Sequence, residues 1–247
     1  MASSSCGNCR PIACSCLERA ESDLAASDTE VRGTLQLAAF TTISRTIVPQ
    51  VLSMLQRQHP RLDVRYRQVE PETGLLLVSS RRIDVLVVDS YPGTSASVPS
   101  DLHADLLSLD PIRAYLPFGS DINDLDGLRR LRWVLEPSGT EAHTWTRTLC
   151  QRHGFDPDVA YESPDLLFHL RIVQEGLAAA FLPDLLVRDA KVQLMPATLL
   201  DTQQLRHISL ICRAGAERRP SVIACREVFM QQIGGRSEDL DNEASIT

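Results

Sequence analysis

Four cysteines crowd the start of the chain, Cys6, Cys9, Cys14 and Cys16, within the stretch CGNC-RPIA-CSC. A C-x-x-C pair can pinch a zinc ion between two thiolates or cycle through a disulfide. Here the order does not follow the spacing of a common zinc finger, and the surrounding residues are serine-rich with no flanking strand pattern. Two readings stand side by side: a metal or redox cluster, and a frayed, reduced terminus. Cys150, Cys212 and Cys225 sit among apolar neighbours and read as buried thiols. The histidines, His59, His103, His143, His153, His169 and His207, are dispersed, and none forms H-E-x-x-H or another ligand spacing. Glu141 and His143 lie two apart on an expected helix, where a solvated face is the plainer reading. The sequence contains no G-x-S-x-G elbow, no G-x-G-x-x-G fingerprint and no P-loop. These residues point to no enzyme, no cofactor and no metal.

Small hydroxyl residues at helix starts are the remaining chemical signal. Thr41, Thr42 and Ser44 follow one apolar run, and Ser138, Gly139 and Thr140 follow another. Ser163 and Asp165 open a third helical segment. Such residues cap the unpaired N–H groups of a first helical turn. The same N–H groups and the positive end of the helix dipole also suit anions.

The elements that carry them follow from periodicity. TLQLAAF (34–40) is an apolar run of strand length. After it, Ile47, Val48, Val51, Leu52 and Leu55 share one helical face, with Thr41, Thr42 or Ser44 as cap, Pro49 near the first turn and Pro60 as terminator. LDVRYRQVE (62–70) alternates in the manner of a strand. A short helix through Gly74–Ser80 precedes the strand IDVLVVD (83–89). Strand, helix, strand, helix, strand in this order implies βαβ units and a parallel sheet.

SYPGTSASVPSD (90–101) reads as a surface loop, and the run at 106–118 as a crossing into a second lobe. That lobe is expected to contain a strand at Trp133–Glu136, a helix at Thr140–His153, a strand near Val159–Tyr161, a helix at Pro164–Glu175 and a strand at 177–183. HISLICR (207–213) and a helix from Pro220 to Ile233 return to the first lobe. Residues 17–31 read as the end of a helix stopped by Gly33. The acidic stretch 234–247 reads as a disordered tail nearly free of core residues.

The net charge of -7 and a single lysine, Lys191, argue against a nucleic-acid surface, which would concentrate basic residues. No apolar run is long enough for a membrane span or an export signal, so a cytoplasmic location is expected.

Four segments in order resemble the effector-binding domain of LysR-type transcriptional regulators. They are EVRGTLQLAAF-TTISRTIVPQVLSMLQRQHPRLDVRY, LVSSRRIDVLVVD, IVQEGLAAAFLPDLL and HISLICRAGAERRPSVIACREVF. The resemblance spans about residues 30–233. Ala178 stands where the family has its second glycine, and Ser79–Ser80 where it has a glycine before the Ile83–Asp84 pair.

The resemblance implies a two-lobed α/β fold of the type II periplasmic-binding-protein kind, each lobe a mainly parallel sheet flanked by helices. Lobe I would comprise 33–110 and 205–233, and lobe II 111–204. It further implies a homodimer that binds a small, expectedly anionic, effector between the lobes. Thr41, Thr42, Ser44, Ser138, Gly139 and Thr140 are the expected contacts, with Phe181 as an apolar wall. Family members begin with a winged helix-turn-helix. Residues 1–32 show none and are not basic, so DNA binding is expected only with a helix-turn-helix from a preceding segment or a partner. The alternatives are a stand-alone solute-binding protein of the same fold and a module that silences a full-length regulator by pairing with it.

Overall fold

In the computed structural model, β1 (Gly33–Ala39) is followed by α1 (Thr41–Thr46), α2 (Val48–Gln58), β2 (Leu62–Gln68), α3 (Pro71–Ser79) and β3 (Val85–Ser90). The long strand β4 (Leu102–Tyr115) leads to α4 (Leu125–Arg130), β5 (Arg132–Leu135), α5 (Glu141–Arg152), β6 (Asp158–Glu162) and α6 (Leu166–Gln174). The chain closes with β7 (Ala180–Pro183), α7 (Asp184–Asp189), β8 (Gln204–Arg213) and α8 (Pro220–Glu243). The structure describes residues 31–94, 98–122, 124–194, 196, 197, 200 and 204–243, with side chains as far as Gly234. The four clustered cysteines and all but the last residue of the expected helix end at 17–31 lie outside the described residues.

The chain divides into two compact units: unit 1 takes residues up to Val88, Ser97–Ser108 and Ser209 onward, and unit 2 takes Asp89–Ala96 and Leu109–Ile208. β4 and β8 run through both. In unit 1 the strand order is β2-β1-β3-β8-β4. β1 pairs in parallel with β2 from Gly33–Leu62 to Ala39–Gln68, and with β3 through Leu37–Val85. These strands are parallel because α2 and α3 supply the crossovers. The Ile83–Asp84 pair has a structural duty here. Asp84 accepts the Gln36 N–H at 2.9 Å and the Arg213 guanidinium at 3.2 Å, tying the edges of β1, β3 and β8.

The single helix expected after β1 is two helices. Ile47 leaves helical geometry at φ -122°, and Pro49 enters in the first turn of α2. Pro49 has no N–H to give the Arg45 carbonyl, so the helix cannot run through. None of Thr41, Thr42 and Ser44 caps α1; the cap position is Phe40. α3 begins at Pro71, earlier than Gly74, because proline at the first helical position sacrifices no hydrogen bond. Gly74 then faces β3 so closely that a Cβ would lie 2.6 Å from the Leu86 side chain. α8 continues to Glu243 rather than ending at Ile233, since no proline interrupts it.

In unit 2, β5 and β6 pair in parallel, and Trp133 bridges to Ala179. β7 runs antiparallel to β4 from Ile112–Pro183 to Tyr115–Ala180. One core, around Trp133, Trp145, Leu149, Phe155 and Phe181, fills one side of these strands. A second, around Val134, Leu170, Val173 and Leu182, fills the other. Each fully buried Leu or Val in these layers contributes roughly 1.5–3 kcal/mol. Two short helices, α4 and α7, complete the unit; Asp124 caps α4 by accepting the Gly127 N–H at 2.6 Å.

Candidate functional site

The junction after β1 in unit 1 binds to itself. Tyr66, on β2, donates its hydroxyl to Ser44 Oγ, and Ser44 donates in turn to the Phe40 carbonyl at 2.6 Å. Burial pushes the Tyr66 phenol above its ordinary range, so it remains a donor. Gln68 Nε2 donates to Thr41 Oγ1 at 2.9 Å, and Thr46 donates to the Thr42 carbonyl at 2.9 Å. Thr42 is 3% exposed. This arrangement braces α1 against β1 and β2.

The junction after β5 in unit 2 is built differently. Residues 137–140 form a turn in which Gly139 takes φ +93°, a left-handed conformation that disfavours any side chain. Thr140 then caps α5, its Oγ1 accepting the His143 N–H at 3.2 Å. His143 is buried and donates from Nδ1 to the Glu136 carbonyl at 2.9 Å, which fixes the backbone at the end of β5. The solvated face expected for Glu141 and His143 is therefore not what the fold makes of them. Glu141 Oε1 accepts the Tyr91 N–H at 3.5 Å.

Beside this turn lies a pocket whose described lining residues all belong to unit 2, among them Tyr91, Glu136, Trp145, Thr146, His169 and Phe181. Its volume is about 20 Å³, room for one or two water-sized groups. Three rings wall it: Tyr91 lies 5.3 Å from Trp145, and Trp145 meets Phe181 edge-on at 5.2 Å. Phe181 also stacks on Trp133 at 5.4 Å, so the wall is anchored in the core. His169 is 2% exposed and donates from Nε2 to the Ser163 carbonyl at 2.7 Å. Burial holds its pKa below the usual value, so the ring is neutral. Glu136 is the only acidic or basic side chain among the described lining residues besides that neutral imidazole; Tyr91 Oη lies 3.5 Å from its Oε1.

Behind Tyr91 sits a buried ion group. Arg206, 1% exposed, donates from Nε to Asp110 Oδ2 at 2.9 Å and from Nη1 to Asp89 Oδ2 at 2.9 Å. Asp110 also accepts the Leu185 N–H at 3.1 Å, at the start of α7. Burial opposes the Arg206 charge, but the two carboxylates outweigh it and raise its pKa further. Burial raises Asp89 and Asp110, with Arg206 pulling the other way. Burial and the nearby carboxylates of Asp89 and Glu136 keep Tyr91 a neutral phenol.

Of the expected contacts, Thr41, Thr42 and Ser44 are in unit 1, and Ser138, Gly139, Thr140 and Phe181 are in unit 2. Phe181 lines the pocket, and the 138–140 turn joins Glu136 to α5. Asp165 caps α6 by accepting the Leu167 N–H at 3.0 Å, with Ser163 bonding the Asp165 N–H at 3.1 Å. Tyr91, Glu136, Trp145 and His169 were not anticipated as lining residues, nor was the Asp89–Arg206–Asp110 group. Tyr91 belongs to a stretch expected to be a surface loop; its aromatic ring among Gly, Pro and Ser was the available signal. Cys150, Cys212 and Cys225 are buried and free, and burial pushes the Cys150 and Cys225 thiols up to about 12. Among the described residues, no His/Cys/Asp/Glu group could hold a metal ion, and no helix is long and apolar enough to cross a membrane.

Comparisons with known proteins agree with this architecture. The profile of the LysR substrate binding domain matches residues 28–234. The transcriptional dual regulator GltC of Bacillus subtilis (strain 168) is 25% identical over 158 residues, which is 62% of this chain and 51% of GltC. The chain thus matches about half the length of that curated relative. Among solved structures, a mutant OxyR from Corynebacterium glutamicum superimposes with a TM-score of 0.70 at 20% identity, covering 96% of this chain and 76% of that one. A mutant OxyR2 regulatory domain from Vibrio vulnificus gives 0.69 at 16% identity, covering 83% and 99%. A putative LysR family transcriptional regulator from Pseudomonas aeruginosa gives 0.68 at 16% identity, covering 90% and 80%. These likenesses establish the fold.

Proposed function

The chain belongs to the LysR substrate-binding domain family, and from that premise we propose that it senses a small molecule on behalf of a transcriptional regulator. The family is a binding domain of regulators and not an enzyme class. The observation that supports sensing most directly is the unit 2 pocket. It lies at the carboxyl ends of β5 and β7, beside α5 and α6, and open α/β sheets bind ligands at such strand ends. Its lining combines aromatic walls with few polar groups: the Glu136 carboxylate, the Tyr91 and Thr146 hydroxyls and the neutral His169 ring. Groups of this kind can orient a ligand by hydrogen bonding.

We read the protein as acting in the cytoplasm and as a homodimer, since regulators of this family oligomerise. DNA contact would come from a helix-turn-helix on the same longer protein or on a partner. A ligand with higher affinity for one conformation shifts the population toward it, and no more than its differential affinity allows.

The test is a thermal-stability screen of the full chain against cationic, anionic and neutral small metabolites, with hits placed by NMR. A ligand at 100 times its Kd stabilises by about 2.7 kcal/mol, a readily measured shift. A screen without a stabilising ligand ends the sensing reading. Thr42→Val tests the unit 1 junction separately, and unchanged affinity removes it from effector binding.

A further inference from the structure

We propose that the unit 2 pocket takes a positively charged head group, an alkylammonium in size and charge, rather than the anion that hydroxyl-capped helix starts suggest. The inference rests on the sensing reading above and specifies its ligand class.

Three observations carry it. The first is the lining. Glu136 supplies the carboxyl group of the lining, and no lysine or arginine appears among the described lining residues. The second is the surroundings. Arg206 is the cation behind Tyr91, and it is held between Asp89 and Asp110 at 2.9 Å each. With Glu141 reaching the Tyr91 N–H, three carboxyl groups, Asp89, Asp110 and Glu141, stand with the Arg206 guanidinium behind and beside the pocket. Like-charge juxtaposition would penalise a carboxylate ligand, whereas an ammonium is attracted.

The third is the aromatic wall. Tyr91, Trp145 and Phe181 surround the space, and aromatic faces attract cations, tryptophan most strongly. About 20 Å³ of room matches a single ammonium group. The helix starts nearby do not reverse this balance. Thr140 already engages one N–H of the first turn of α5, and Asp165 engages one of α6.

The experiment uses three probes of one carbon skeleton, n-butylammonium, butyrate and 1-butanol, titrated at constant ionic strength. The readout is the indole N–H resonance of Trp145, assigned against Trp133 with the variant Trp133→Phe, since the chain has two tryptophans. The expected result is a saturable shift with n-butylammonium alone, weakened about ten-fold or more in Glu136→Gln, as loss of a charge partner implies. Saturation by butyrate and not by n-butylammonium overturns the cation class while leaving a ligand site in place. Equal saturation by 1-butanol reduces the pocket to apolar packing and overturns it as well. No saturation by any probe removes the pocket itself as a site, and sensing then depends on the metabolite screen alone. Saturation by n-butylammonium that Glu136→Gln leaves unchanged overturns the role of the carboxylate. The probe comparison stands on the unaltered chain, whatever the variant does to folding.

Discussion

After β1 in unit 1, the hydroxyls of Thr41 and Ser44 are absorbed by Gln68, Tyr66 and the local backbone. After β5 in unit 2, a turn of the same composition carries the chain from a pocket-lining carboxylate, Glu136, into the capped helix α5. Both stretches read alike as hydroxyl-rich helix starts. They differ in what the neighbouring strand supplies. β2 offers Tyr66 and Gln68, long polar side chains that reach the hydroxyls. The neighbours of β5 offer Phe181 and Tyr91, which stand off and leave a space. Residue type at a junction therefore indicates capacity, and the adjacent strand decides whether that capacity is consumed.

The largest expected effect comes from disturbing the charge group behind the pocket. Arg206→Met leaves Asp89 and Asp110 buried without their cation and should cost roughly 3–5 kcal/mol, read from denaturant unfolding. A cost under 1 kcal/mol would show that water replaces the guanidinium and that the two junctions are equally soft. Next, Thr140→Ala removes the α5 cap and should cost about 1 kcal/mol. Tyr66→Phe removes the brace of the unit 1 junction and should cost about 1 kcal/mol or slightly less. It should leave the Trp145 resonance unchanged. If that resonance moves, the contrast between a self-satisfied and an open junction fails.

The smallest effect is a pH slope from His169. Its folded pKa lies below the 6.5 of the unfolded chain. As pH falls through about 6.5 the unfolded state therefore takes up a proton that the folded state refuses, and stability declines. His169→Gln should flatten that part of the profile, measured by unfolding at a series of pH values.

Much of the architecture was legible. The apolar runs of β1 and β3, the alternation of β2 and the Pro220 start of α8 all carry strong local periods. The helices α4 and α7 were missed because six residues complete too few turns to show one. The split at Ile47 was visible only as Pro49, which fits equally in a first turn or as a break. At the junction after β5, the Thr140 cap of α5 was legible because helix starts have a chemical signature. Arg206 was not, since its partners Asp110 and Asp89 lie 96 and 117 residues away. The charge that follows IDVLVV, Asp89, was a faint sign, because a carboxylate ending an apolar strand needs a partner.

That separation has a consequence for biosynthesis. Asp89 and Asp110 leave the ribosome long before Arg206, and β8, which carries Arg206, supplies a strand to unit 1 as well. Until β8 is made, two carboxylates destined for burial have no countercharge, and the first unit lacks a strand. Pairings so distant are slow to form and expose incomplete sheets to chaperones and to aggregation. A nascent chain halted before Gln204 should thus leave both units unfinished, and synthesis of β8 should complete them together.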